Sequence, residues 1–236
     1  MPVDASANAE ALPADLAWLE GGQRYVVCAY YTDNYIPRAL ALMQSLEAHR
    51  INHYLKRYEH QGSWEATTRL KPAFILHCLE RFPKLDIVYV DADAIVRQPL
   101  AFLDRIPGDV GLWLHPRKRK GRWHLRITAS VVYVRNSEAG RRFVRSWANP
   151  KVDCGRLAVD EDMLQAAFSE FEGLTITVLP ASYVKIFDES TSAPVIEHFQ
   201  ASRGEFNWRR TMRKARQVAT FIVLAALAGL LWYLLR

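Results

Sequence analysis

Cysteine is scarce. Cys28, Cys78 and Cys154 are odd in number and far apart, and no two form a Cys-x-x-Cys pair. That argues against a disulfide framework and against a cysteine-held zinc ion, and for buried thiols in a reducing compartment. Residues 1–20 are rich in Ala, Pro and Asp and lack the basic and apolar regions of a secretory leader. Charge of one sign is missing from the body. Of 31 Lys/Arg and 25 Asp/Glu, seven basic residues and one acid fall from Arg203 onward, which leaves 24 of each sign in residues 1–202. A general nucleic-acid binder would carry its basic footprint on the folded domain, so that class is set aside. No internal repeat is visible.

At 236 residues, half of them hydrophobic, the chain is long enough for one large α/β domain with appendages. Its centre is Ile87-Val88-Tyr89-Val90, an apolar run that reads as a buried parallel strand, followed at once by Asp91-Ala92-Asp93. Open α/β sheets bind ligands at the C-terminal ends of their strands. Alternate residues of an extended chain point the same way, so Asp91 and Asp93 are expected to converge there. Two carboxylates held together repel unless a cation lies between them, and a hard divalent ion, Mg²⁺ or Mn²⁺, meets that need. The plain alternative is an Asp-rich turn after a strand.

Around this centre the pattern alternates. Ala14–Leu19 is expected to form a short helical turn ended by Gly21-Gly22. Tyr25–Tyr31 reads as the first strand, Thr32-Asp33-Asn34 as a loop, and Ile36–His49 as a helix with Pro37 in its first turn. Asn52–Tyr58 reads as a polar strand and Ser63–Leu70 as helical. A helix with an apolar stripe of Phe74, Ile75, Cys78, Leu79 and Phe82 begins at Pro72. Arg69 and Lys71 near its start suit an anion, or are simply solvated. Gln98-Pro99-Leu100 reads as a short helix or turn, Val110–Leu114 and Ala129–Val134 as strands, and Arg117–Arg122, with five positive charges in six residues, as an exposed mobile loop. Asn136 or Ser137 caps a helix running to Trp147, and Asp160-Glu161-Asp162 opens another through Phe168, where acids also complement the helix dipole. Strands are expected at Leu174–Leu179, Val184–Phe187 and Val195–Phe199.

Val218–Leu235 has eighteen residues without a charge, about 27 Å as a helix. With a basic flank before it and aromatic residues at both ends, it reads as a transmembrane helix with the catalytic body on the cytoplasmic side. The expected organisation is a flexible segment 1–22, a domain 23–203, a basic juxtamembrane linker 204–217 and the span 218–235. The basic segment Arg117–Arg122 then faces the membrane or an anionic acceptor, or is an ordinary loop.

The ordered set of Tyr30-Tyr31-Thr32, Arg69-Leu70-Lys71-Pro72, Asp91-Ala92-Asp93, Asp160-Glu161-Asp162-Met163-Leu164 and Val195-Ile196-Glu197-His198-Phe199-Gln200-Ala201-Ser202 resembles the GT-A-fold glycosyltransferases, distantly those of the glycogenin-like family 8. The resemblance spans about residues 24–203 and implies a single Rossmann-like α/β domain with a mixed central sheet. It implies that Tyr30, Tyr31, Thr32 and less directly Asp33 hold the nucleotide, and that Arg69 or Lys71 contacts diphosphate or sugar. It further implies that Asp91 touches ribose or metal, that Asp93 and His198 bind Mn²⁺ or Mg²⁺, and that Asp160 and Glu161 face donor sugar or acceptor as the catalytic carboxylates. After His198 the glycine and Lys-Pro-Trp run of the glycogenin-like pattern are missing, and Ser202 and Arg203 are candidates for the diphosphate contact. The implied activity is metal-dependent sugar transfer from a nucleotide-diphosphate donor to an unidentified acceptor, lipid-linked and surface glycan precursors among the candidates. A haloacid-dehalogenase-like phosphohydrolase fits less well. Such enzymes place the acidic pair near the start of the fold and a second one after an apolar strand. An inactive, membrane-tethered nucleotide-sugar-binding module is the third reading.

Overall fold

The computed structural model describes residues 13–155, 157–186 and 193–200. The elements run β1 (Asp15–Trp18), β2 (Tyr25–Tyr31), α1 (Ile36–Ala48), β3 (His53–Arg57), α2 (Trp64–Thr68), α3 (Lys71–Arg81), β4 (Asp86–Val90), β5 (Ala94–Val96), β6 (Val110–Arg119), β7 (Arg122–Val134), α4 (Glu138–Ala148), α5 (Asp160–Glu170), β8 (Ile176–Val178), β9 (Lys185–Ile186) and β10 (Ile196–His198).

A seven-stranded sheet of order β1-β3-β2-β4-β7-β6-β8 forms the frame, and β5-β10-β9 form a small second sheet. Strands β3, β2 and β4 are parallel, whereas β7 runs antiparallel to β4 and β1 antiparallel to β3, so the sheet is mixed. The period of two is visible in burial. All seven residues of β2 are buried. Tyr25, Val27, Ala29 and Tyr31 pack on the α1 side, whereas Val26, Cys28 and Tyr30 pack on the side of α3, α4 and α5. In β4, Val88 and Val90 take the first face and Ile87 and Tyr89 the second. A strand covered on both faces has no reason to alternate apolar with polar, which is why these runs are continuous.

The helices start where their sequences allow. Ser63 caps α2 by accepting from the Ala66 N–H at 3.1 Å, and Ser137 caps α4 by accepting from the Gly140 N–H at 3.2 Å. Asn136 instead closes the end of α3, its amide donating to the Leu79, Phe82 and Leu85 carbonyls. Pro72 in the first turn of α3 removes a donor that the helix would leave unpaired anyway.

Three expectations are corrected. Ala14–Leu19 is not helical: Asp15–Trp18 is an edge strand on β3, where Leu16 and Trp18 alternate inward and Trp18 stacks on His53 at 5.7 Å. Arg117–Arg122 is not a mobile loop. It is the tip of the hairpin β6–β7, closed by Lys120 at φ 49° and Gly121 at φ 78°, the left-handed pair of a two-residue turn that matches strand twist. The expected single-pass anchor, with the body on the cytoplasmic side, is not supported. Among the described residues no helix is long and apolar enough to cross a membrane, and Val218–Leu235 lies outside them.

Candidate functional site

The C-terminal end of β4 is the centre of the site. The Asp91 N–H donates to the Ser130 carbonyl at 3.0 Å, which carries the β4–β7 pairing one rung beyond Val90. The chain then turns, with the Ala94 N–H bonded to the Asp91 carbonyl at 3.1 Å. The convergence of Asp91 and Asp93 therefore comes from a turn, not from the alternation of an extended strand. Past the turn, β5 pairs antiparallel with β10 so that His198 lies opposite Ala94, and the Phe199 N–H donates to the Asp93 carbonyl at 3.1 Å. The small sheet thus brings a residue more than a hundred positions away beside the aspartates. One ligand atom each of Asp91, Asp93 and His198 lies within 4.8 Å of the others.

His198 is 3% exposed, and among the described residues neither ring nitrogen has a partner in hydrogen-bond geometry. The Tyr183 carbonyl is near enough to favour a ring proton without making that bond. Burial nevertheless dominates and holds the imidazole below its ordinary pKa, against the pull of Asp91 and Asp93. A neutral imidazole with unused nitrogens beside two carboxylates is a donor set that fits a divalent cation. A buried polar group without a partner otherwise costs free energy.

Behind the aspartates lies Lys71, from the first turn of α3. Its ammonium is 2.9 Å from Asp91 Oδ1, 2.5 Å from Asp160 Oδ2 and 2.9 Å from the Ala129 carbonyl oxygen, which uses all three of its donors. The charge also sits 4.7 Å from the centre of the Tyr89 ring, and the Tyr89 phenol donates to Asp91 Oδ1 at 3.0 Å. Burial opposes the ammonium, but Asp160 and Asp91 outweigh it and keep its pKa above the usual lysine value. Asp160 is raised above the usual carboxylate range by burial, because one ammonium shared between two carboxylates offsets that only in part. Its backbone carbonyl accepts from Trp147 Nε1 at 2.9 Å, which fixes the start of α5. Glu161, next on α5, is raised first by burial and then by Asp160, while Arg126 Nη2 at 2.8 Å from its carboxylate pulls the other way.

The remaining expected residues lie around this cluster. Tyr30 is buried on its α3 side, edge-on to Phe74, with its phenol donating to the Thr67 carbonyl at 2.9 Å. Tyr31 points to the opposite face and donates to the Pro13 carbonyl. Thr32 is buried and its hydroxyl lies 2.6 Å from Asn34 Oδ1, while Asp33 pairs with Arg57 at the surface. Arg69 caps α2, its Nε donating to the Glu65 carbonyl. The structure therefore brings together Asp91, Asp93, His198, Lys71, Asp160 and Glu161. No contact joins Tyr31, Asp33 or Arg69 to that group among the interactions described. Ser202 and Arg203 lie outside the described residues.

Two participants were missed from sequence. Tyr89 stands two residues before Asp91 on the same strand, and that spacing was the available signal. Arg126 lies in β7 upstream of Ala129, where the expected strand began.

No family model matches the sequence, and no curated protein is significantly similar to it. Solved structures are similar in fold. A glycosyltransferase involved in the glycosylation of the major capsid of PBCV-1 superposes with a TM-score of 0.59 at 15% identity, over 77% of this chain and 96% of that one. The galactosyltransferase LgtC, solved with donor and acceptor sugar analogues, gives a TM-score of 0.48 at 12% identity, over 75% and 87%. The glycosyltransferase GlyE of Streptococcus pneumoniae gives 0.49 at 17%, over 75% of this chain and 55% of that one. The first of these, together with the mixed sheet described above, carries the conclusion that the fold is of the GT-A glycosyltransferase type.

Proposed function

We propose that this GT-A domain is a glycosyltransferase that takes a sugar from a nucleotide-diphosphate donor with the help of a divalent cation, Mn²⁺ or Mg²⁺. The observation that carries the reading is the meeting of Asp91, Asp93 and a buried His198 with unused nitrogens within 4.8 Å at the ligand edge of the sheet. Asp93 and His198, with Asp91 beside them, would hold the ion. When bound, it would supply Lewis acidity to a leaving diphosphate. Asp91 is shared: Lys71 and the Tyr89 phenol fix one of its oxygens, which orients the other.

Lys71 acts in this reading as a positioning residue. Its donors are committed to Asp91, Asp160 and Ala129, so it holds two carboxylates at set places and neutralises part of their repulsion. Glu161, with its proton affinity raised by burial, is the better placed of the two α5 acids to take a proton from an acceptor hydroxyl, since its side chain is 28% exposed against 8% for Asp160, which is closed in by Lys71. The nucleotide is assigned to the ends of β2 and β3 around Tyr30, Tyr31 and Thr32, and Arg69, Ser202 and Arg203 are further candidates for donor contacts.

A thermal-shift screen of the full chain against UDP-, GDP- and CMP-sugars, each with and without Mn²⁺, tests the reading. One nucleotide class should raise the melting temperature in a Mn²⁺-dependent manner, because ligand that binds only the folded state stabilises it. No shift with any donor, in either condition, would overturn it.

A further inference from the structure

The donor reading makes no use of the outer half of the β6–β7 hairpin. Strand β8 pairs with β6 only at Val110–Leu112, and β4 pairs with β7 only at Val131–Val134. From Trp113 to Arg119 and from Arg122 to Thr128 no third strand joins the ladder among the described residues; Ile127 is still core and Leu114 packs on it, whereas Pro116–Lys118 and Arg122–Leu125 are exposed, the outer part of a two-stranded ribbon. Its root is the site itself. The Ser130 carbonyl accepts from Asp91, the Ala129 carbonyl from Lys71, the Ile127 N–H donates to Gln165 Oε1 at 3.2 Å, and Arg126 pairs with Glu161. From Ser130 to Arg122 the strand rises about 26 Å at roughly 3.3 Å per residue.

The ribbon carries an unusual surface. Residues directly opposed in the ladder share a face. Lys118 faces Trp123 and Pro116 faces Leu125, with Trp123 71% and Leu125 63% exposed; Arg117 faces His124 on the other side. Lys120 lies in the turn itself, and Arg122, just past it, falls on the Arg117 and His124 face. Pro116, Leu125 and Trp123 thus form one contiguous exposed apolar strip with Lys118 on the same face, and a strip of that kind suits a binding surface. The cations ask for an anion, and the indole offers a flat apolar face. A ribbon that begins at the metal cluster and leads away from it suits a chain whose end is being processed.

We propose that the ribbon is an acceptor-binding arm for an acidic glycan, a saccharide chain whose carboxylate or phosphate groups pair with Lys118 and with Lys120 of the turn while a sugar ring covers Trp123. The proposal rests on the glycosyltransferase reading and names its acceptor class.

The test uses the full chain with octagalacturonate as the acidic probe, maltooctaose as its neutral counterpart and an eight-residue oligothymidylate as a non-saccharide polyanion. Calorimetry on the wild type should show octagalacturonate binding at least tenfold tighter than either control, and weakening as salt is raised. Lys118 and Lys120 changed together to Ser should lower that affinity about fivefold, as expected for two exposed charge pairs. Trp123→Ala should lower it too. All these side chains are solvent-exposed, so both variants should keep the wild-type melting temperature and its shift with the nucleotide sugar. Equal binding of octagalacturonate and maltooctaose, equal binding of oligothymidylate, or unchanged affinity in the variants would overturn the arm. If the sugar-nucleotide shift persists in any of these cases, the donor reading survives and only the arm fails.

Discussion

Replacing Lys71 by Met removes the one cation that Asp91 and Asp160 share. The lysine is 4% exposed and the Asp160 side chain 8%, so Asp160 is left with little solvent, whereas Asp91, 33% exposed, keeps some; the Ala129 carbonyl loses its donor as well. Removing one partner of a buried ion pair costs about 3–5 kcal/mol, because the other charge remains. A domain of ordinary stability has about 5–15 kcal/mol in total, so the deficit should be plain in urea unfolding. It should also depend on pH. Asp160 already has a raised pKa in the folded protein, and without Lys71 it rises further. The folded state then holds a proton that the unfolded chain releases near the ordinary carboxylate value of about 3.9. Stability is therefore fullest below that value and falls as pH rises through the folded pKa. The metal-free Lys71→Met protein should unfold at lower urea than wild type at pH 5, and at lower urea still, relative to wild type, at pH 8. Adding Asp160→Asn removes the stranded charge and should recover most of the loss. A deficit below about 1 kcal/mol, independent of pH and not relieved by the second change, would refute the claim that Lys71 carries these carboxylates.

Two further outcomes follow from the packing. A methyl group at Gly140 would run into the Arg135 backbone carbonyl and stand 3.0 Å from Val134 Cγ1, so Gly140→Ala should cost about 1–3 kcal/mol although alanine favours helix; an unchanged or raised melting temperature would contradict this. His77 is held below its ordinary pKa by burial and then by Lys56 and Arg81, with its Nε2 3.2 Å from the Tyr54 hydroxyl and 3.4 Å from Lys56 Nζ. Its contribution is complete above about pH 6.5 and is lost as pH falls through the lowered folded value, so His77→Gln should flatten the urea midpoint between pH 7.5 and pH 5; identical profiles would show that another group is responsible.

Much of the frame was legible because burial on both faces leaves a plain signature. The continuous apolar runs of β2 and β4 and the helical stripe of α3 needed no tertiary knowledge. So did the choice of the β4 end as the centre, since a carboxylate pair directly after such a run has no place in a core. The failures share a cause: local pattern does not say what lies opposite. Leu16 and Trp18 alternate over four residues, too few to separate a strand from a helical turn, and only the edge of β3 decides. Arg117–Arg122 looks like a solvated loop because charge marks exposure, whereas the strand there is set by cross-strand partners such as Lys118 and Trp123. Lys71 looked like a free cation at a helix start. Its burial depends on Asp160, eighty-nine positions later, reaching the same place. His198 could be named only by resemblance, since nothing near it in the chain marks it as a neighbour of Asp93.

The central claim is that Asp91, Asp93 and His198 form one cation site, and Mn²⁺ binding followed by electron paramagnetic resonance tests it most directly. Titration of the full chain should show one saturable site, weakened at least tenfold in Asp93→Asn and in His198→Ala, while both variants keep a wild-type circular dichroism spectrum. Mn²⁺ binding of undiminished affinity in both variants, or no saturable binding by the wild type with or without nucleotide sugar, would contradict it.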